Sequence, residues 1–282
     1  MSDNYLQRML ALAKQAGTIA RKYAPASGAT LKGDNSVVTK ADKAVSRLVQ
    51  KSLKDLTASS EHILVDEEDD KRLEYLNEAT LKRAKYIWAL DPIDGTRAYA
   101  NGMPHYGFSI GLLKDLKPWL GVVYFPGLNE LFYCDGKKAY FVKDAFSSKQ
   151  KRKQLKFIDQ KIDAHSIFLC SEYFFKHFDI TQNHFHVIVP ACAVVDLCWP
   201  ALGRSCGCLL KSSLWDFAGS WPIFQSVGLK MRAAATGRIL DKISLEIFNP
   251  QRPWKLKDFY ILSSKRNYPV IKKILKPRPK NH

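Results

Sequence analysis

Long apolar runs are missing from this sequence. None approaches the roughly 20 residues that a membrane-crossing helix needs. The first residues, Met1-Ser-Asp-Asn-Tyr, lack the basic-then-apolar pattern of a secretory leader, and the expectation is a cytoplasmic protein. The cysteines lack the paired spacing of a zinc site. Cys134, Cys170, Cys192, Cys198, Cys206 and Cys208 mostly fall in apolar runs, which predicts buried free thiols rather than disulfides. Cys206-Gly-Cys208 has no second pair at zinc spacing and is not read as a ligand set. No internal repeat or low-complexity segment stands out either.

Acidic residues are scarce. Against 44 Lys and Arg stand 27 Asp and Glu, a net charge of +17. Such a field favours anionic partners: phosphorylated small molecules, nucleic acid or an acidic membrane surface. Much of the charge is clustered, at 149–156 and again at 272–280. These runs read as a solvated loop and a solvated tail, open to non-specific anion binding. The 149–156 run carries no interleaved aromatics, so it predicts no sequence-specific nucleic-acid reader.

With 282 residues the chain can bury a large core, as one α/β domain or as two halves sharing an interface. Residues 3–23 read as an amphipathic helix opened by Asp3 and ended by Pro25 and Gly28. A turn-rich loop around Lys32 follows. Thr39 and Asp42 then have capping-box spacing at the head of a second helix, with Val45, Leu48, Val49, Leu53 and Leu56 on its buried side. A short strand at 62–65 runs into five consecutive acids, Asp66 to Asp70. The apolar run 86–90 reads as a buried strand. Strands at 107–113, 120–125, 130–134 and 139–142, separated by turn signals, read as an antiparallel meander. The basic loop at 147–156 marks the expected division into an α+β half, 1–146, and an α/β half, 147–282, with the basic tail at about 271–282. In the second half, strands are expected at 166–170, 184–189, 206–210, 229–233 and 259–262. Helices are expected at 172–178, from Pro190 to about Leu202, from Trp215 to about Val227, and at 268–275. His184 and His186 share a strand face but have no third ligand in view, and they read as an ordinary surface or core pair.

The chemistry is concentrated in Trp88-Ala-Leu-Asp91-Pro92-Ile93-Asp94-Gly95-Thr96. Carboxylates at the carboxyl end of a strand lie where open sheets bind ligands. Pro92 stiffens the chain between them, and Gly95 permits a tight turn. Thr96 stands where a helix can open toward a phosphate. Glu67 or Glu68 after one strand and Asp216 at a helix start are further carboxylates that can join Asp91 and Asp94. Two like charges about 4 Å apart repel by roughly 4 kcal/mol at an effective dielectric of 20, so a converged cluster demands cations. Oxygen-only ligands favour Mg²⁺. On residue type alone, Asp42 reads as a helix cap.

These motifs resemble the inositol monophosphatase-like family of lithium-sensitive, magnesium-dependent phosphatases. Asp91-Pro-Ile-Asp-Gly-Thr96 is similar to the family's first signature and Leu214-Trp-Asp216-Phe-Ala-Gly219 to its second. Val38-Thr-Lys-Ala-Asp42 and Val65-Asp-Glu67-Glu68 match two further motifs. The resemblance implies a layered α-β-α-β-α sandwich, a homodimer, and a Mg²⁺-dependent phosphomonoesterase acting on a small phosphorylated metabolite with two or three ions. It implies that Glu67, Asp91 and the carbonyl of Ile93 hold one metal, and that Asp91, Asp94 and Asp216 hold another, so that most ligands come from the first half. Glu67 then belongs to the catalytic set. Thr96 backed by Asp42 activates water, the N–H groups of Gly95 and Thr96 cradle phosphate, and the loop around Lys32 closes the site. The family role displaces the cap as the reading of Asp42.

Three departures stand out. Asp66 occupies a usual glycine position, with its charge either perturbing the site or pointing to water. Pro190-Ala191-Cys192 replaces a Gly-Ser-Ala or Gly-Thr-Ala stretch at a pocket-lining helix start. No glutamate precedes Trp215 in Cys208-Leu-Leu-Lys-Ser-Ser-Leu214, which argues against inositol phosphate as the substrate. Gly95-Thr-Arg97-Ala-Tyr99 and Gly102-Met-Pro104 also resemble histidinol-phosphate phosphatases, and 3′(2′),5′-bisphosphate nucleotidases share the core motifs. A reading of another class is a catalytically weak relative that binds nucleic acid or anionic surfaces.

Overall fold

The structure, a computed structural model, describes residues 2–24, 29–31, 37–157, 161–171, 173–180 and 185–278. Pro25, Gly28, Lys32, Glu172 and His184 lie outside the described residues, as do 279–282 of the basic run.

Two sheets organise the chain. The first has seven strands in chain order: His62–Asp66, Tyr86–Asp94, Gly107–Lys114, Lys117–Phe125, Glu130–Cys134, Ala139–Lys143 and Lys151–Gln154. Its first pair is parallel and the rest form the antiparallel meander. The second sheet has five strands in the order His186–Ile188, Ile167–Cys170, Gly207–Leu210, Tyr260–Ser263, Lys230–Ala233.

Strand alternation explains the layering. Successive side chains point to opposite faces, and Tyr86–Asp94 is buried along its whole length. Trp88 and Leu90 face the helices Ser2–Tyr23 and Lys40–Thr57, packing with Met9, Leu12, Val45 and Val49. Ile87 and Ala89 face the other way, into a core shared with Leu197, Phe217 and Phe224 and with Leu169, Cys208 and Leu262 of the second sheet. The second sheet's outer face, Phe168, Leu209 and Ile261, is covered by Phe174, Ile271 and Ile274. Helices, sheet, helices, sheet, helices: this is the expected α-β-α-β-α sandwich. All six cysteines are free and buried, as their apolar settings predict.

Several expectations need correction. The central strand does not stop at Leu90; it runs through both aspartates to Asp94, with a bulge between Asp91 and Asp94. The 147–156 run is not a plain loop. Lys151–Gln154 pairs with Ala139–Lys143 as the exposed edge strand of the first sheet, where lysines discourage edge-to-edge association. The expected tail from 271 is ordered through Pro277: helix Asn267–Ile274 leads into strand Leu275–Pro277, which pairs with Phe178–Ile180. Pro190 does not open its helix, which starts at Ala193 with Cys192 at the cap. The helix expected from 215 to 227 is two helices, Leu214–Ala218 and Trp221–Ser226, with Gly219-Ser220 between them.

That break lets the helix pair sit close to the sheet. Gly111 and Gly121 are partners on adjacent strands. A Cβ on Gly111 would lie 2.4 Å from the Ala218 carbonyl carbon, and one on Gly121 would lie 2.0 Å from the Gly219 oxygen. The missing side chains bring the helix carrying Asp216 down onto the strand that pairs with the Asp91 strand and onto the next one out.

Candidate metal and phosphate site

Thr39 caps the helix Lys40–Thr57 through the expected capping box. Asp42 Oδ2 accepts from the Thr39 N–H at 2.8 Å and from its hydroxyl at 2.5 Å. The other oxygen, Oδ1, faces the Thr96 hydroxyl at 3.4 Å. The two readings of Asp42 are therefore compatible: one oxygen caps and the other faces the site. Asp42 is fully buried. Burial pushes its carboxyl up to about 6, against the lowering pull of its Thr39 hydrogen bonds.

Asp91, Asp94 and Asp216 converge, each offering a carboxylate oxygen within 4.8 Å of the others. The bulge in the central strand sets Asp91 opposite Ser109 and Asp94 opposite Gly107. Gly95 then turns the chain with φ +77°, and a Cβ there would strike the His105 oxygen at 2.8 Å and Cys192 Cβ at 2.9 Å. A five-residue helix, Thr96–Ala100, follows. The Thr96 hydroxyl donates to the Ile93 carbonyl at 2.8 Å. Asp216 comes from the Leu214–Ala218 helix, where its Oδ2 accepts from the Ser213 N–H at 2.7 Å. Asp94 is held by the start of the Ala193–Leu202 helix: the Val194 N–H donates to Oδ2 at 2.5 Å and the Cys192 thiol at 3.2 Å. The Pro190-Ala191-Cys192 departure thus delivers a donor to an aspartate of the cluster. It does so through Ala191 in the left-handed region, φ +58°.

The charges oppose one another. Burial first, then repulsion from Glu67, Asp94 and Asp216, raises Asp91 well above the carboxylate range. Burial raises Asp94, although the Val194 N–H and the Cys192 thiol pull it back. Burial and Asp94 push Asp216 up to about 7, with Lys255 opposing. Asp91 Oδ1 is buried with no hydrogen-bond partner, a cost of about 1–3 kcal/mol if left so. An orphaned buried oxygen amid two further carboxylates fits a hard divalent cation, whose ligands are oxygens.

Glu67 is not part of the tight trio. Its N–H donates to the Leu90 carbonyl at 3.1 Å, which continues the parallel pairing. Its charge is the largest after burial in raising Asp91, and its side chain lines a cavity of about 780 Å³ together with Glu68, Ser213 and Asp216. Asp66 neither faces this cavity nor points to water. It is fully buried and accepts from Ser46 Oγ at 2.6 Å, Gln50 Nε2 at 3.0 Å and the Glu68 N–H at 3.0 Å. Its role is to tie the loop bearing Glu67 and Glu68 to the Lys40–Thr57 helix. Lys32, expected at the mouth, lies outside the described residues.

Sequence reasoning missed the hairpin Phe248–Asn249/Arg252–Leu256, which brings Arg252 and Lys255 to the same cavity. Trp254 sits in the bulged second strand of this hairpin with φ +66°, a rare conformation for so bulky a residue. Full burial, an edge contact with Phe248 and an indole N–H donated to the Arg72 carbonyl at 2.7 Å hold it there. Lys255 consequently bridges to Ser213, three residues before Asp216. No local signal marks this: Pro253 only hints at a turn.

A layered α/β sandwich with an oxygen-only acidic centre at a strand end defines the class. The sequence matches the profile of the inositol monophosphatase family over residues 2–268, and the chain belongs to that family. It is 30% identical over 158 residues to a fructose-1,6-bisphosphatase/inositol-1-monophosphatase of Aquifex aeolicus, covering 51% of this chain and 56% of the relative. It is 30% identical over 135 residues to the 3′(2′),5′-bisphosphate nucleotidase CysQ of Aggregatibacter actinomycetemcomitans, covering 48% of each. The chain thus spans about half the length of these curated relatives. Among solved structures, an IMPase/NADP phosphatase complexed with Mg²⁺ and phosphate superposes with a TM-score of 0.74 at 18% identity, over 99% of both chains; this likeness is one of fold.

Proposed function

We infer that the protein is a Mg²⁺-dependent phosphomonoesterase acting on a small phosphorylated metabolite. The observation that carries this is the converged trio of buried Asp91 and Asp94 with half-buried Asp216, in which Asp91 Oδ1 lacks any hydrogen-bond partner. Asp91, Asp94 and Asp216 would hold one ion, and Glu67, Asp91 and the Ile93 carbonyl a second. Bound Mg²⁺ supplies Lewis acidity toward phosphate oxygens and lowers the pKa of water.

The remaining steps belong to the chain. Thr96 Oγ lies between the Ile93 carbonyl and Asp42 Oδ1. Rotating its O–H toward Asp42 frees its lone pair to accept a proton from the attacking water. Asp42, with its pKa raised to about 6, is mostly ionised at neutral pH yet basic enough to take that proton. The Val194 N–H and the Cys192 thiol fix the Asp94 carboxylate, so its geometry is set before substrate arrives. The N–H of Thr96 and the loop around Lys32 would contact the phosphate. The Gly95 N–H is drawn toward Asp94 and would join them only in part.

Lithium inhibition, a homodimer, a cytoplasmic location and two or three bound ions belong to the same reading. Its test is a phosphate-release screen over inositol phosphates, histidinol phosphate, sugar bisphosphates and nucleoside bisphosphates, with Mg²⁺ or with EDTA. Turnover only with Mg²⁺ supports the reading. No turnover on any of them, or equal rates in EDTA, overturns it.

A further inference from the structure

The outer face of the second sheet carries a cavity of its own. It measures about 550 Å³, within the roughly 300–1,000 Å³ of small-molecule sites. None of its described lining residues lines the acidic cavity, and the helix of Asp216 packs on the sheet's other face, against Met231 and Leu262. Phe178, Ile261 and Leu275 form an apolar floor, all three buried. The strand pair Phe178–Ile180 and Leu275–Pro277 makes one wall, clasped by Arg278 Nε on Asp179 at 2.7 Å. Five lysine and arginine residues line the cavity against one carboxylate, Asp258.

One end is more than a charged rim. Arg232 shares the outer face with its register partner Ile261, and Ala234, two residues on, lines the cavity. Arg232 is only 9% exposed, yet its Nη1 has no hydrogen-bond partner, and neither has the buried hydroxyl of Tyr268. Among the described residues no carboxylate pairs with Arg232. Its Cζ lies 5.0 Å from the Tyr268 ring centroid, and Lys272 Nζ lies 5.9 Å from the same centroid. Lys272 follows Tyr268 by one helical turn and lines the cavity. Two cations thus meet on one ring, with two buried donors unused. Uncompensated buried charge and unpaired donors are both costly, and an oxyanion relieves both at once.

We propose that this cavity binds an amphipathic anion, at a site separate from the acidic centre. An apolar body lies on Phe178, Ile261 and Leu275, and an oxyanion head faces Lys272, with Arg232 and Tyr268 behind it. Floor and rim together reject two simpler ligands. A bare inorganic anion leaves the apolar floor wet, and an uncharged hydrocarbon leaves the cations unpaired. The site stands whether or not the acidic centre cleaves phosphate.

Calorimetric titration of decanoate, below its micelle concentration, into the full chain in EDTA tests the site. Saturable binding of one molecule per chain is the expected result. Acetate, which keeps the head, and 1-decanol, which keeps the body, should each bind about tenfold more weakly or worse. Decyl phosphate replaces decanoate in a parallel arm; saturable binding of either supports the site, and the tighter of the two identifies the head. Lys272→Glu should weaken binding about tenfold. Lys51→Glu, the same charge change at an exposed position of the Lys40–Thr57 helix, should leave it unaltered. The site is overturned if neither amphiphile binds saturably, or if acetate binds as tightly as decanoate. Equal weakening by the two reversals also overturns it, because the net charge of +17 alone would then account for the attraction. Lys272→Gln, which removes the charge without reversing it, serves wherever Lys272→Glu disturbs folding.

Discussion

Raising the pH of the metal-free protein from 5 to 8 should destabilise it, and Mg²⁺ should reverse the loss. Asp216 is pushed up to about 7 in the folded chain, against about 3.9 for an ordinary aspartate. The folded state therefore holds a proton that the unfolded state has released. The stability this contributes is present in full below pH 4 and is lost as the pH climbs through the folded value. At about 1.36 kcal/mol per unit, the roughly two units between pH 5 and the folded value make the change for this one group about 3 kcal/mol. Asp42, raised to about 6, adds a loss of the same sign and, over the one unit above pH 5, roughly 1.4 kcal/mol. Asp91 and Asp94 are raised as well, and since the four interact the contributions do not add simply. Urea denaturation at pH 5 and pH 8, in EDTA and in saturating Mg²⁺, reads the effect. Mg²⁺ at about 100 times its Kd stabilises by roughly 2.7 kcal/mol, and the gain should be far larger at pH 8, where the carboxylates need no proton removed to bind it. Stability in EDTA that is flat or rising between pH 5 and 8 would refute this reasoning, as would a Mg²⁺ gain equal at both.

Other outcomes follow from single contacts. Asp66→Ala strands the Ser46 hydroxyl, the Gln50 amide and the Glu68 N–H; urea denaturation should show a loss of roughly 2–4 kcal/mol, and a loss under 0.5 would refute the anchoring role. Thr96→Val should lower kcat by about 10²- to 10⁴-fold with little change in KM, and steady-state kinetics that instead show only a KM effect would remove Thr96 from the proton path. The rate should also rise with pH as Asp42 ionises near 6, and Asp42→Asn should abolish that limb of the profile. Gly111→Val would drive a side chain into Ala218, lifting the Asp216 helix; thermal melts and Mg²⁺ titration should both show weakening.

What the sequence made legible was local. A continuous apolar run at 86–90, alternating strands and Gly-Pro punctuation announced the central strand and the meander, and motif spacing singled out Asp91, Asp94 and Asp216. What escaped depended on tertiary contacts. Nothing near Asp66 says that Ser46 and Gln50, from the preceding helix, turn it inward. The apolar run ends at Leu90, yet the central strand continues through Pro92 to Asp94 because a bulge accommodates it. Proline suits a first turn, which points to Pro190 as a helix start, but Ala191 and Cys192 first swing back so that Val194 reaches Asp94. Arg252 arrives at the site on the hairpin and Lys255 one residue after a left-handed tryptophan, which no propensity would propose. The masking of Asp42 was of another kind: its capping role is real, and its second oxygen does something else.

The central claim is that the aspartate trio is a Mg²⁺ site, and calorimetric titration of Mg²⁺ into wild type and Asp94→Asn tests it most directly. The asparagine keeps an acceptor for the Val194 N–H while removing one charge from the trio. Saturable binding in wild type at pH 8, weakened at least tenfold in Asp94→Asn with the fold intact, is the predicted result. Absence of binding in wild type, or equal affinity in the two proteins, would contradict the account.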